Sequence, residues 1–216
     1  MNLEKCAEIC DAVAFMEKAG LNHGSSGNIS VRHENGILIT PAGARSSNLS
    51  PDRMVWLDLD GSQAEGELGV PSTEWRLHTE LYVYRPEITA VVHSHPDNCV
   101  ALSCLRMPIP PFHYMVASFG GNSVPCARYE PFGSDALAAS VVEAIEGHSA
   151  CLMANHGMIS VGKSLRQALD LAVKLETLAR QYLLSCQAGR PVLLTDEEMA
   201  DVQHRYKFYG TSRLPR

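Results

Sequence analysis

The chain has 216 residues, 45% of them hydrophobic and 19% charged, which describes one ordinary globular domain spanning 1–216 and long enough to bury a full core. A net charge of −6 argues against a general binder of nucleic acid or of anionic membrane, because both need a basic surface. Seven cysteines without a CxxC pair fit reduced thiols, and neither a basic-then-apolar leader nor an apolar run of about 18 residues is present, so a cytoplasmic setting is expected.

Leu3, Cys6, Ile9, Val13 and Met16 recur at three-to-four spacing and predict an amphipathic helix that Gly20 stops. Residues 22–28 are too rich in glycine and polar side chains to form a regular element. Residues 29–31 and 37–39 read as strands joined by a turn at 34–36, and a small-residue loop follows at 40–43. Residues 55–59 form a further strand, closed by Asp60-Gly61. A helix is expected over about 74–84, capped by Ser72 or Thr73, with Glu74 in its first turn where the helix dipole favours an acid.

The apolar run 90–92 predicts a buried strand that delivers His93 and His95 and ends at Pro96, which has no N–H for the ladder. Residues 98–105 suit a helix, and the three prolines within 107–111 require an irregular link before His113-Tyr114-Met115. Ser134 caps a helix carrying Leu137, Val141 and Ile145. Residues 150–154 form a strand leading to Asn155-His156-Gly157, and 159–161 extend the sheet. Ser164 with Gln167 makes a capping box for a long helix whose inner face carries Ala168, Leu171, Leu175, Leu178 and Tyr182. Thr195 with Glu198 makes another for the last helix. Antiparallel strand runs with interspersed helices imply an α/β (α+β sandwich) class, a mostly antiparallel central sheet covered by helices.

Side chains two apart on a strand point the same way, so His93 and His95 emerge side by side. Such a pair alone is more often two histidines at a strand end than a metal site. With His156 it offers three nitrogen ligands and leaves the fourth position of a tetrahedral zinc open, as in a catalytic site. Glu74 is the natural acid/base. His78, four residues on, shares its helix face, so a Glu74/His78 metal pair stands as a second arrangement beside the plainer one of a packed helix histidine. The loops 24–28 and 40–43, with Ser72 and Thr73, offer the hydroxyl and amide donors that hold phosphate.

The motifs at 24–28, 38–43, 71–78, 90–95, 111–115, 120–127 and 155–157 together resemble the class II aldolase/adducin-head family almost end to end. His-Tyr-Met at 113–115, Gly-Gly-Asn-Ser at 120–123 and the Tyr209-Gly210 ending lie closer to its branch that cleaves L-fuculose 1-phosphate. The resemblance implies a Zn²⁺ ion on His93, His95 and His156, with Glu74 as proton-transfer residue. It puts Asn28, Gly43, Ser72 and Thr73 where the family binds substrate phosphate, Tyr114 at the aldehyde oxygen, and Tyr209 in a tail that approaches the site. It implies a C4 homotetramer with active sites between subunits, so that Tyr114 serves a neighbour's metal. The implied reaction is reversible cleavage of a ketose 1-phosphate into dihydroxyacetone phosphate and a small aldehyde such as L-lactaldehyde. Rivals within the family are a methylthioribulose-1-phosphate dehydratase and a pentulose-phosphate 4-epimerase, the latter with Asp where Glu74 stands. A non-catalytic binding module is the rival outside enzymology, but its adducin representatives lack the histidines. Ala42 departs from the family pattern, which has a hydroxyl residue there, and Arg45, Ser46 or Ser47 are the candidates to compensate.

Overall fold

The computed structural model describes residues 2–63 and 69–208. In chain order the elements are α1 (Leu3–Lys18), β1 (Asn28–His33), β2 (Gly36–Ile39), β3 (Val55–Asp58), α2 (Trp75–Tyr84), β4 (Ala90–Ser94), α3 (Asp97–Ser103), β5 (Cys126–Ala127), α4 (Asp135–Ala144), β6 (Ala150–Met153), β7 (Gly157–Gly162), α5 (Leu165–Ala188) and α6 (Asp196–Tyr206). One sheet runs β3-β2-β1-β4-β7-β6-β5. Every neighbouring pair is antiparallel except β5 with β6. The expected mostly antiparallel sheet covered by helices is what forms.

Helices cover both faces of this sheet, which is why its central strands read as unbroken apolar runs rather than alternations. Ile29, Val31, Leu38, Ala90, Val92, Leu152 and Met158 join the core that α1 and α5 close. Ile37, Ile39, Val91, Cys151, Met153, Ile159 and Val161 join the core under α2 and α4. The period of two then fixes the rest of β4. Val91 faces α2, so His93 and His95 lie on the α2 side as well.

Several local expectations need correcting. Leu3 of the predicted α1 stripe is exposed, while Cys6, Ile9, Val13 and Met16 are buried. Ser164 does accept from the Gln167 amide, but the Gln167 side chain returns to the Lys163 amide at 2.8 Å, so no reciprocal box closes. Thr195 and Glu198 do make the full box. Neither Ser72 nor Thr73 caps α2. Glu74 occupies that position, without a capping bond from its side chain.

Two loops that are distant in sequence are stitched together beside this helix start. Ser72 N–H donates to the Thr40 carbonyl at 3.1 Å, Ala42 N–H donates to the Val70 carbonyl at 2.9 Å, and Pro41 bridges Pro71. On the other side of β4, Glu176 of α5 accepts from the amides of Asn98 and Cys99, which anchors α3 directly behind His95 and Pro96.

Candidate active site

The three histidines arrive from two strand ends. His93 and His95 leave β4 on the face turned to α2, and His156 sits in the β6–β7 turn, its amide donating to the Met153 carbonyl at 3.0 Å. Asn155 makes that turn possible by adopting a left-handed φ of 53°, which Asn tolerates better than most residues. Gly157 makes it tight. A Cβ there would sit 2.6 Å from the Ser94 carbonyl oxygen and would collide with the His95 ring.

One ring nitrogen of each of His93, His95 and His156 lies within 4.8 Å of the others. His93 Nδ1 is 2.8 Å from the Met158 carbonyl, which can only accept, so Nδ1 carries the hydrogen and Nε2 carries the lone pair turned inward. That Nε2 is 2.9 Å from His95 Nε2 and 3.1 Å from Glu74 Oε2. Converging lone pairs beside a carboxylate need a positive charge between them. The donor set therefore fits a divalent cation, with three nitrogens and room for a further ligand.

Glu74 enters from the opposite wall. Its carbonyl opens α2 by accepting from Leu77 N–H at 3.0 Å, while its carboxylate turns away from the helix amides and into the cleft. Oε2 accepts from Asn28 Nδ2 at 3.0 Å. Oε1 lies 3.3 Å from His156 Nε2, yet it is buried with no hydrogen-bond partner among the described residues. An orphaned buried carboxylate oxygen signals a missing ligand or reactant.

The electrostatics follow from this crowding. Burial opposes the charge on Glu74, but His93, His156 and the Asn28 amide outweigh it and hold the carboxyl well below its usual range. A raised value, expected for a base, is thus not what these neighbours produce. Glu74 is kept ionised, as a proton acceptor must be. Burial works against a charge on His93, and the adjacent Glu74 carboxylate nevertheless raises its pKa. Burial and the other imidazoles push His95 down to about 3, and burial and His93 push His156 down to about 4. Both stay neutral, the form that binds metal.

His78 does not join the three histidines, and with its two ring nitrogens on Asn28 and Ser30 it has none to share with Glu74 on a metal. It is fully buried and bonded to Asn28 and Ser30.

The cleft beside Glu74 has a volume of about 400 Å³. Asn28, Gly43, Ser72 and Thr73, all read from the sequence as phosphate ligands, line it together with His95 and His156. The Asn28 side chain is already committed to Glu74 and His78, and the Ser72 hydroxyl accepts from the Glu74 amide at 3.3 Å. Ala42 also faces the cleft, its amide spent on Val70. Of the residues considered to compensate, Ser46 is tied by amide and hydroxyl to Glu17, whereas the Arg45 guanidinium lies over Gly24.

Tyr114 is not among the cleft residues. It opens a 3₁₀ turn (Tyr114–Phe119), half exposed and packed on His113. Tyr209 lies outside the described residues. Tyr129 and Phe132, exposed aromatics on the rim, were missed in the sequence. The available signal was two aromatics in the Tyr-Glu-Pro-Phe-Gly loop at 129–133, where a soluble surface would favour polar residues.

With this geometry established, the chain was compared with known proteins. Residues 7–183 match the model of the Class II Aldolase and Adducin N-terminal domain. The chain belongs to the class II aldolase family. It is 44% identical over 204 residues to an L-fuculose phosphate aldolase of Escherichia coli O6:H1, covering 94% of each chain. It is 42% identical over 208 residues to a 5-methylthioribulose-1-phosphate/5-deoxyribulose-1-phosphate aldolase of Rhodospirillum rubrum, covering 96% of this chain and 93% of that one. A solved L-fuculose 1-phosphate aldolase superposes with a TM-score of 0.89 at 34% identity, covering 94% of this chain and 96% of that chain. The protein is therefore an enzyme of a metal-dependent aldolase family, and its three-histidine group is able to hold the metal.

Proposed function

We propose that this aldolase uses Zn²⁺ to cleave L-fuculose 1-phosphate, or a related deoxy-ketose 1-phosphate, reversibly into dihydroxyacetone phosphate and a small aldehyde such as L-lactaldehyde. The observation that carries this reading is Glu74 Oε1, buried, ionised and without a hydrogen-bond partner among the described residues, at the edge of the three-histidine group. His93, His95 and His156 would hold the ion, which supplies Lewis-acid stabilisation of the negative charge that develops on substrate oxygens.

The rest of the chemistry falls to the chain's own residues. Gly43, Ser72 and Thr73 hold the phosphate at the cleft wall and so orient the three-carbon unit, while Asn28 beside them spends its side chain on Glu74 and His78. In the synthetic direction Glu74 Oε1 takes the carbon-bound proton of dihydroxyacetone phosphate. Asn28 Nδ2 keeps Oε2 occupied, which leaves Oε1, 3.3 Å from His156 Nε2, as the oxygen to take it. Tyr129 and Phe132 offer apolar surface at the rim, which suits the deoxy end of a fuculose, deoxypentulose or methylthiopentulose phosphate.

The protein acts as a cytoplasmic homotetramer with active sites at subunit interfaces. In that assembly the exposed Tyr114 hydroxyl of one copy protonates the new alkoxide in a neighbour's site. The exposure of Tyr114 away from its own histidines supports this division of labour.

The deciding experiment is release of dihydroxyacetone phosphate from L-fuculose 1-phosphate, before and after chelation and again with zinc restored. Release lost with chelator and regained with zinc is the expected result. No release from zinc-loaded protein, with 5-deoxyribulose 1-phosphate also inert, would overturn the reading. Release of water or epimerisation without cleavage would replace it by a dehydratase or an epimerase.

A further inference from the structure

His78 is neither a metal ligand nor a simple packing residue. It lies with Ser30 and Tyr82 in the dry layer between β1 and α2, each 0–1% exposed, and connects to the cleft through Asn28. The chain of contacts has a determinate direction. A carboxylate only accepts, so the Asn28 amide must turn its Nδ2 to Glu74 Oε2 and its Oδ1 the other way. Oδ1 only accepts, and it lies 2.5 Å from His78 Nε2, which must therefore carry the hydrogen. His78 Nδ1 is then the lone-pair nitrogen, and it takes the Ser30 hydroxyl proton at 2.6 Å. The Tyr82 hydroxyl, 3.0 Å from Ser30 Oγ, donates to the Ser30 carbonyl at 2.9 Å. The Ser30 hydroxyl has a single proton for His78 Nδ1 and Tyr82 Oη, whereas from Glu74 to His78 the chain has one sense only.

We propose that His78 is a positioning residue for the base: through the Asn28 amide it holds Glu74 Oε2 in place and leaves Oε1 as the oxygen that takes the proton. The role rests on the reading of Glu74 as the proton acceptor. The sheet register makes it possible, because Asn28 pairs with His93 across β1 and β4. The Asn28 side chain therefore starts beside the metal ligands and ends between Glu74 and His78. A network of this kind is costly to bury and specifies orientation rather than bulk packing. An apolar side chain at 78 would fill the space equally well but leave Oδ1 without a donor and the amide free to rotate.

The test uses the full-length, zinc-loaded protein and its cleavage of L-fuculose 1-phosphate, compared for wild type, His78→Leu, His78→Gln, Asn28→Ala, Asn28→Ala/His78→Leu and Glu74→Gln. Loss of a supporting hydrogen bond behind a metal-site residue typically costs about 10–100-fold in activity. His78→Leu should lower kcat in that range with KM and zinc content unchanged. Gln can present an N–H to Asn28 Oδ1, so His78→Gln should recover most of the loss. In the Asn28→Ala background, His78→Leu should have no further effect, because the hydrogen-bond path to Glu74 is gone. Independently of activity, ¹⁵N NMR of the wild-type holoenzyme should show His78 as the Nε2–H tautomer. An Nδ1–H tautomer, an unchanged kcat in His78→Leu, or an equal further loss in the Asn28→Ala background would each overturn the positioning role. Glu74→Gln separates the two claims. Wild-type turnover in that variant removes Glu74 as the base and the positioning role with it, whereas an inactive Glu74→Gln beside a fully active His78→Leu sinks the positioning role alone.

Discussion

Glu74 Oε2 lies 3.1 Å from His93 Nε2, although one residue opens a helix and the other closes a strand on the opposite wall of the cleft. This contact places an acid/base group against the metal ligands without making it one of the three nitrogens that bind. It separates two functions that mutation should separate as well.

His93→Ala and His156→Ala should each lose bound zinc and turnover together, since two imidazoles hold a tetrahedral ion poorly. Glu74→Gln should keep close to one zinc per chain and lose about 10²–10⁴-fold in kcat, the usual worth of a positioned proton-transfer group. Metal analysis of the purified variants beside steady-state rates checks both. A metal-free Glu74→Gln protein would contradict the division.

Gly157→Ala should weaken zinc binding at least tenfold. Its new Cβ would lie 2.6 Å from the Ser94 carbonyl oxygen and press on the His95 ring, so β4 and β7 must part where the ligands sit. Overpacking of this kind usually costs about 1–3 kcal/mol of stability. Competition with a chelator of known affinity measures the first effect and urea unfolding the second.

Ala42→Thr should lower KM for the phosphorylated substrate about tenfold by adding one hydroxyl donor at the cleft wall, since a hydrogen bond to a charged group contributes about 1.5 kcal/mol or more. Arg45→Gln should raise it, because the Arg45 guanidinium lies over Gly24 in the adjoining loop. Ser46→Ala should leave KM unchanged, its hydroxyl being held by Glu17. Initial rates against substrate concentration decide all three.

Acid stability should carry the imprint of His78. Burial, reinforced by the charge of His93 and opposed by Glu74, brings its pKa from 6.5 down to about 3. The folded state therefore refuses a proton that the unfolded chain accepts. Its contribution is full above about pH 6.5 and is lost as pH falls from there towards 3, by at most about 1.4 kcal/mol per pH unit. Urea unfolding from pH 7 to pH 4 should show a shallower loss for His78→Gln than for wild type. Parallel curves would mean that His78 titrates normally in the fold.

Local spacing alone was enough for the strands other than the short β5, for the amphipathic helices, the three histidines and the acid at 74. Periodicity reports which side of an element is buried, and a strand that ends in His-Ser-His before proline carries its chemistry in its own spacing. The donor-rich loops at 24–28 and 40–43 were legible for the same local reason. What the spacing could not tell was who faces whom. His78 reads as any helix histidine until β1 is registered against β4 and α2 is laid across them, which puts Asn28 between it and Glu74. Ser46 reads as a free hydroxyl until α1 brings Glu17 to it. Tyr129 and Phe132 become a cleft rim only once β5 is paired beside β6. Leu3 fits the helical stripe but lies where the core has ended. Hydrogen-bond partners depend on strand register and helix placement, and those are decided by packing the whole chain rather than by any stretch of it.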